Sequence, residues 1–134
     1  MFVDYLLNST NAPLLERMAT FASARHRLIA ENVVNLDTPG YRQKDLDLAK
    51  FRALLRDRVE VRRAARNPAH VRYDDIDAAV EHPARGILFH DGQNRSLEQL
   101  MTDQAKNALM HNLVVELLRK QFGSLENALK ERLG

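Results

Sequence analysis

A long run of apolar residues with sevenfold spacing dominates the last third of the chain, from Ser96 to Leu133. One apolar row continues over five heptads, and a second row, interrupted by two polar residues, runs beside it. This spacing is typical of an amphipathic helix that packs against another helix. The first row comprises Met101, Ala108, Val115, Phe122 and Leu129, and the second comprises Leu97, Gln104, His111, Leu118 and Leu125.

Ser96 and Gln99 have the spacing of a capping box, which predicts that this helix begins near Leu97. At about 1.5 Å per residue the helix is roughly 57 Å long, more than a domain of this size needs to span its own core. Two interpretations are open: an ordinary core helix of a bundle, or a helix with part of its apolar face covered by a partner. Gly123 either ends a first helix near Phe122 or allows close approach of a neighbour.

A second long helix is predicted near the N-terminus. Pro13 suits a first helical turn, and Asn11 or Thr10 can cap it. The helix must stop at Asp37–Gly40, because Pro39 disfavours helical geometry at the preceding residue and Gly40 can adopt positive φ. Its length is then about 24 residues. The apolar row of this helix comprises Leu15, Ala22, Ile29 and Leu36.

The middle of the chain shows no sustained period. We predict a short helical stretch within Asp45–Leu55, a short strand at Val59–Arg62 and an irregular connection from about Arg56 to Arg95. The predicted fold is therefore mainly α: long N- and C-terminal helices pack as a coiled-coil-like pair, joined by a long irregular middle with possible short strands. The expected divisions of this single structural unit are residues 1–41, 42–95 and 96–134.

Composition excludes several classes of protein. The absence of cysteine rules out disulfides and thiolate chemistry, and 45% apolar residues argue against compositional disorder. The first residues lack the basic region of a cleavable secretory signal, and no apolar run approaches the length of a membrane span. We therefore predict neither a cleaved signal peptide nor a direct membrane span.

The net charge of +2 is unevenly distributed. Residues 52–72 are rich in arginine, whereas residues 73–98 are rich in acids. This basic cluster allows an alternative function, that of a small helical nucleic-acid-binding or adaptor protein. Interspersed acids and the lack of aromatic residues between the arginines weigh against it. The cluster comprises Arg56, Arg58, Arg62, Arg63 and Arg66.

No recognised catalytic motif is present. His82, His90 and Asp91 are possible metal ligands, but their spacing matches no known site, and His26 and His111 stand alone on predicted helices. We predict that the protein is not an enzyme, with no catalytic residues, no metal site and no cofactor.

A motif follows the N-terminal helix directly. Two asparagines three apart lie on one helical face, where their amides can bond open backbone groups, and a Thr-Pro-Gly-Tyr sequence sets the exit of the chain. The motif resembles the Asn-x-x-Asn-x-x-Thr-Pro-Gly-Tyr signature of the bacterial flagellar rod and hook proteins. Its six matching residues are Asn32, Asn35, Thr38, Pro39, Gly40 and Tyr41.

The C-terminal half is similar to the proximal-rod members of that family. The matching segments are the turn and helix start at Phe89–Glu98, the segment Ala105–Leu109, and Lys120–Phe122. Gln93 stands where the family more often has asparagine. The resemblance covers both terminal regions and says little about residues 52–88.

The resemblance implies a structural subunit of the proximal rod that polymerises through its terminal helices, connects the membrane ring to the distal rod and hook, and transmits torque. The implied partners are the chain itself, other rod proteins, the membrane-ring protein, and export-gate or rod-adaptor proteins, but no nucleic acid. The implied location is the flagellar basal body, reached by type III export without a cleaved signal. We expect the isolated chain to be partly unfolded at its ends.

Overall fold

A computed structural model describes residues 2–82, 88–89 and 94–134. Its main feature is a pair of long helices, α2 and α5, which pack together and confirm the mainly α prediction. The elements in chain order are α1 (Phe2–Ser9), α2 (Ala12–Val34), β1 (Asp45–Leu46), α3 (Leu48–Ala64), a 3-10 turn (Pro68–His70), α4 (Asp74–Glu81), β2 (Leu88–Phe89) and α5 (Leu97–Leu133).

Helix α2 begins and ends close to the predicted residues. Pro13 lies in its first turn, and the Thr10 hydroxyl accepts a hydrogen bond from the Ala12 N–H at 3.2 Å. Asn11, the other predicted cap, makes no side-chain capping bond. The helix spans 23 residues and stops before Asp37, as expected from Pro39 and Gly40.

Helix α5 begins with the predicted capping box. The Gln99 N–H donates to the Ser96 hydroxyl at 3.3 Å, and the Ser96 N–H donates to the Gln99 side chain at 3.0 Å. The helix continues through Gly123 for 37 residues, so the alternative of a break near Phe122 is wrong. A Cβ added at Gly123 would meet nothing within 4 Å, so no part of the described chain approaches it closely.

The two long helices run antiparallel, because His26 of α2 contacts Gln104 near the start of α5 and Ala22 contacts Asn107 further along. Pro13, near the start of α2, shares a groove with Leu118 and Phe122. The part of α5 that follows Phe122 therefore extends beyond the start of α2.

The middle of the chain supplies most of the core, and its prediction as an irregular segment is wrong. Phe21 of α2 stacks on Phe51 of α3 with ring centroids 3.9 Å apart. Residues 42–95 include the helices α3 and α4, and Val59–Arg62 lies within α3 rather than in a strand. The buried cluster comprises Phe21, Leu46, Phe51, Tyr73, Ile76 and Val80.

The predicted helical stretch within Asp45–Leu55 forms the first part of α3, and arginine explains why the second part was missed. Phe51, Leu55, Arg58 and Arg62 have helical spacing and are all at least half-buried, but only the first two are apolar. The inward face of the helix therefore continues with two arginines, which a search for the periodicity of apolar residues does not detect. The only strand pairing among the described residues is antiparallel, with Asp45 opposite Phe89 and Leu46 opposite Leu88.

Candidate assembly site

The motif at the end of α2 forms a tight turn. The Tyr41 N–H donates to the Thr38 carbonyl at 3.2 Å, which closes a four-residue turn around Pro39 and Gly40. Gly40 has φ of +74°, the conformation that the third position of a type II turn requires. Pro39 suits the second position because its ring already restricts φ. The turn therefore needs both residues in this order.

Asn32 holds the chain that returns from this turn. Its side chain is buried, and it both donates to the Lys44 carbonyl at 2.6 Å and accepts from the Lys44 N–H at 3.0 Å. The Tyr41 hydroxyl donates to the same Asn32 oxygen at 3.4 Å. One asparagine thus makes the paired bonds that a neighbouring strand would make.

Asn35 has a separate role. Its side-chain amide donates to the Glu31 carbonyl at 2.9 Å, and its oxygen accepts from the Thr38 hydroxyl at 3.2 Å. The Asn35 amide does bond a backbone carbonyl at the helix end, but the Glu31 carbonyl also accepts from the Asn35 backbone N–H at 3.1 Å, so it is not the open group that was predicted. Asn32 instead bonds a segment twelve residues away, which the local helix geometry did not indicate.

The segment before α5 packs on the same returning chain. Asn94 accepts from the Gln43 N–H at 3.2 Å and donates to the Tyr41 carbonyl at 3.2 Å. The Gln43 side chain donates to the Arg95 carbonyl at 2.9 Å and accepts from the Arg95 N–H at 2.7 Å. The structure therefore joins the two segments on which the family resemblance depends, although they are about 50 residues apart in sequence.

Asp45 connects this arrangement to both long helices. Its buried carboxylate accepts two bonds from Arg25 of α2, at 2.9 and 3.0 Å, and one from Arg95 at 2.6 Å. Arg95 also contacts Asp103 of α5 at 3.2 Å. Burial by itself would raise the pKa of Asp45, but the hydrogen bonds and charges of the two arginines outweigh it and lower the pKa below its ordinary value. Asp45 is therefore held as a carboxylate.

The buried seam between α2 and α5 differs from the predicted row by one residue. On α5 the buried residues are Leu100, Asn107 and Val114, again seven apart. The Asn107 side chain donates to the Ala22 carbonyl at 2.8 Å, where the small Ala22 side chain leaves room for it. A polar residue, Asn107, occupies the centre of this seam. The row one residue further along is more uniformly apolar, so the sequence pattern predicted that row as the packing face instead.

The predicted packing residues divide into three groups within the single chain. Two of them, Ala22 and Ile29 on α2, are buried. Half-buried positions are Leu15, Val115, Leu118, Leu125 and Leu129. Exposed positions are Leu36, Met101, Ala108 and Phe122. Contacts of these residues with another subunit remain a prediction.

A further apolar surface faces away from α2. Leu109, Leu113 and Leu117 are spaced by four, and the first two expose 71% and 61% of their surface. Residues with this spacing form a ridge along a helix. Exposed apolar residues in a contiguous row are typical of protein–protein interfaces. We define this row as the outer ridge of α5.

The arginine cluster is largely engaged within the chain. Arg62 is buried, donates to the Tyr73 hydroxyl at 2.8 Å and also bonds carbonyls at the end of α1, where a cation complements the helix dipole. Arg58 pairs with Asp75 at 2.6 Å, and Arg63 pairs with Glu60 at 3.1 Å. The basic and acidic blocks therefore bond partly to each other.

The histidines that the structure describes do not form a recognised metal site. No cluster of three or more possible metal ligands of the His, Asp and Glu types occurs among the residues that the structure describes. His90 and Asp91, two of the predicted candidates, lie outside those residues. None of the described helices is both long and apolar enough to cross a membrane.

The chain is similar to two flagellar basal body rod proteins named FlgB. It is 26% identical over 117 residues to the protein from Bacillus subtilis, which covers 86% of this chain and 89% of the relative. It is 27% identical over 115 residues to the protein from Salmonella typhimurium, which covers 79% of this chain and 83% of that relative. No family model matches the chain, and no solved structure matches it.

Proposed function

We propose that this chain, a flagellar rod protein of the FlgB kind, is a structural subunit of the proximal rod that polymerises through its terminal helices. The similarity to two rod proteins over most of their length carries the proposal and confirms the resemblance drawn from the sequence. The junction of both resembling segments around Asn32, Gln43 and Asp45 supports it. In this role the protein needs no catalytic residue and no cofactor.

The surface of α5 provides the physical basis for assembly. The outer ridge has no partner helix among the described residues, and Met101 and Phe122 are also more than 45% exposed. Burying a large apolar side chain contributes about 1.5–3 kcal/mol. Covering a ridge of three leucines and its exposed neighbours therefore favours association of subunits.

The same proposal assigns partners and location. Copies of this chain and other rod proteins would cover the exposed helix faces, while the membrane-ring protein and export-gate or rod-adaptor proteins would contact the proximal end. The rod would then connect the membrane ring to the distal rod and hook and transmit torque. Type III export without a cleaved signal would deliver the chain to the basal body.

A substitution on the outer ridge tests the proposal directly. Leu113→Asp places a charge on this ridge, and we expect loss of swimming and of the rod in a strain that lacks the chromosomal gene. Val61→Asp is the matched control, because Val61 is also an exposed apolar residue, 45% accessible, but lies on α3. The measurements are motility in soft agar and cryo-microscopy of basal bodies.

Circular dichroism of both purified variants separates assembly from folding. We expect both to retain the helicity of the parent chain. If Leu113→Asp cells swim normally, or if Val61→Asp abolishes the rod equally, the outer ridge is not the assembly surface. If deletion of the gene leaves an intact rod, the proposed function itself is wrong.

A further inference from the structure

A second groove lies between α2 and α5, away from the turn and the Asp45 network. It has a volume of about 460 Å³ and is lined by Ser23, His26 and Arg27 of α2 and by Asn107, His111 and Asn112 of α5. In the sequence His26 and His111 are 85 residues apart, but the antiparallel helices bring them to one groove. The rest of its lining consists of two alanines.

The charge of this groove has one sign. None of the described residues that line it is acidic, and Arg27 forms no ion pair within the described chain. The one side-chain hydrogen bond of His26 within the described part of the chain is to the neutral Gln104 side chain, at 3.4 Å. Arg27 also borders an adjoining groove that contains Glu16, Glu31 and Glu81 but forms no ion pair with them, so its guanidinium, beside two imidazoles, is suited to binding an anionic group.

The groove also holds an unsatisfied polar atom. Asn107 is 2% exposed, and its amide nitrogen donates to the Ala22 carbonyl, but its side-chain oxygen has no hydrogen-bond partner among the residues that the structure describes. Buried acceptors in folded proteins are nearly always bonded. A ligand for this groove should therefore carry an N–H or O–H donor as well as a negative charge.

We propose that the groove binds an acidic peptide segment of a neighbouring subunit. Its carboxylates pair with Arg27, His26 and His111, and a backbone or side-chain N–H reaches the Asn107 oxygen. The inference rests on the proposed function for the presence of a neighbour, but not for the chemistry of the site. The unpaired Arg27 disfavours a cation, whereas inorganic phosphate has both a negative charge and an O–H donor and is therefore a comparison ligand in the test below.

Nuclear magnetic resonance of the labelled full chain tests the site. The probe is a tetraglutamate peptide with acetylated and amidated ends, and tetralysine and inorganic phosphate are the comparison ligands. We expect saturable shifts of the Asn107 side-chain amide and of the His26 and His111 rings with tetraglutamate alone.

Paired variants identify the residues responsible. The double variant Arg27→Gln/His111→Gln should weaken tetraglutamate binding at least about tenfold. The matched control Arg66→Gln/His70→Gln removes the same two residue types outside the groove and should leave binding unchanged. Circular dichroism checks that both variants keep the parent helicity.

Each alternative outcome overturns the inference. Absence of saturable shifts, equal loss in both double variants, or equal binding of tetralysine would each exclude an acidic-peptide site. Competition by phosphate at the same concentration would show a general anion site only. None of these binding measurements needs a rod, so a negative result would contradict the acidic-peptide site and leave the proposed structural function unaffected. An intact rod in cells that lack the gene would contradict the proposed structural function and leave the binding site unaffected.

Discussion

The two ends of the α2–α5 pair are built differently. At one end, which we call the latched end, Asn32, Tyr41, Asp45 and Arg95 join both helices and the returning chain through buried polar bonds. At the other, the open end, α5 continues past Pro13 toward Leu133 with largely exposed residues. The comparison indicates that one end is completed within the single chain, whereas the other keeps exposed surface, which the proposed function assigns to contacts between subunits.

The two ends differ in how strictly their interactions fix the geometry of the partner. Hydrogen bonds and ion pairs at the latched end require fixed geometry, so they hold one arrangement of three segments. The open end offers mainly apolar and charged helix surface, which gains free energy when any complementary partner covers it. The following predictions are ordered from the largest expected effect on the monomer to the smallest.

Asp45→Ala should produce the largest loss of stability. It leaves Arg25 and Arg95 without their shared carboxylate in a buried setting, and we expect unfolding free energy to fall by about 3 kcal/mol. Urea titration followed by circular dichroism measures it. Asp57→Ala, an exposed acid on α3, is the control and should change stability by less than about 0.5 kcal/mol. Similar losses in both variants would contradict a special role for the latched end.

Asn32→Ala should cost about 2 kcal/mol, because it removes three hydrogen bonds and leaves Lys44 backbone groups unbonded. Asn35→Ala is the matched control from the same motif. The hydrogen bonds of Asn35 are exposed, so its substitution should lower the unfolding free energy by less. The same urea titration measures the unfolding free energy of both variants. A larger loss for Asn35→Ala would show that the bonds within the local turn contribute more stability than the bonds to the returning chain.

Acid should weaken the latched end through Asp45. Because its folded pKa is lowered, its stabilisation is fully present above the ordinary value of 3.8 and is lost as the pH falls through the lowered folded value. Urea midpoints at pH 5 and pH 3 measure the loss. Asp45→Asn should show a smaller drop between these two values than the parent chain. An equal drop would assign the acid sensitivity to other carboxylates.

The open end should show the smallest contribution to monomer stability. Amides in the last turns of α5, residues 123–133, should exchange with solvent at least about 100-fold faster than those around Asn107. Hydrogen exchange of the isolated chain measures both. Their protection should rise on incorporation into the rod, in line with the expectation that the ends order on assembly. Equal protection in the isolated chain would show that the open end is already complete.

Local sequence signals predicted the long helices well. The Ser96 capping box and the Pro39–Gly40 stop act within a few residues of their own position, so their structural effect can be read without tertiary information. The resemblance motif was also found in this way. The second half of α3 was missed because Arg58 and Arg62 occupy inward positions, where they bond an acid, carbonyls and Tyr73 that no local pattern identifies.

The sequence by itself determined where α2 and α5 lie, where the turn forms and which protein family the chain resembles, because these follow from backbone preferences and short spacings. Only the tertiary structure decided that Asn107 centres the seam, that Asn32 and Asn94 hold the same returning segment, and that His26 and His111 share a groove. Such contacts join residues from 12 to 85 positions apart, and their partners depend on how the helices dock rather than on local periodicity.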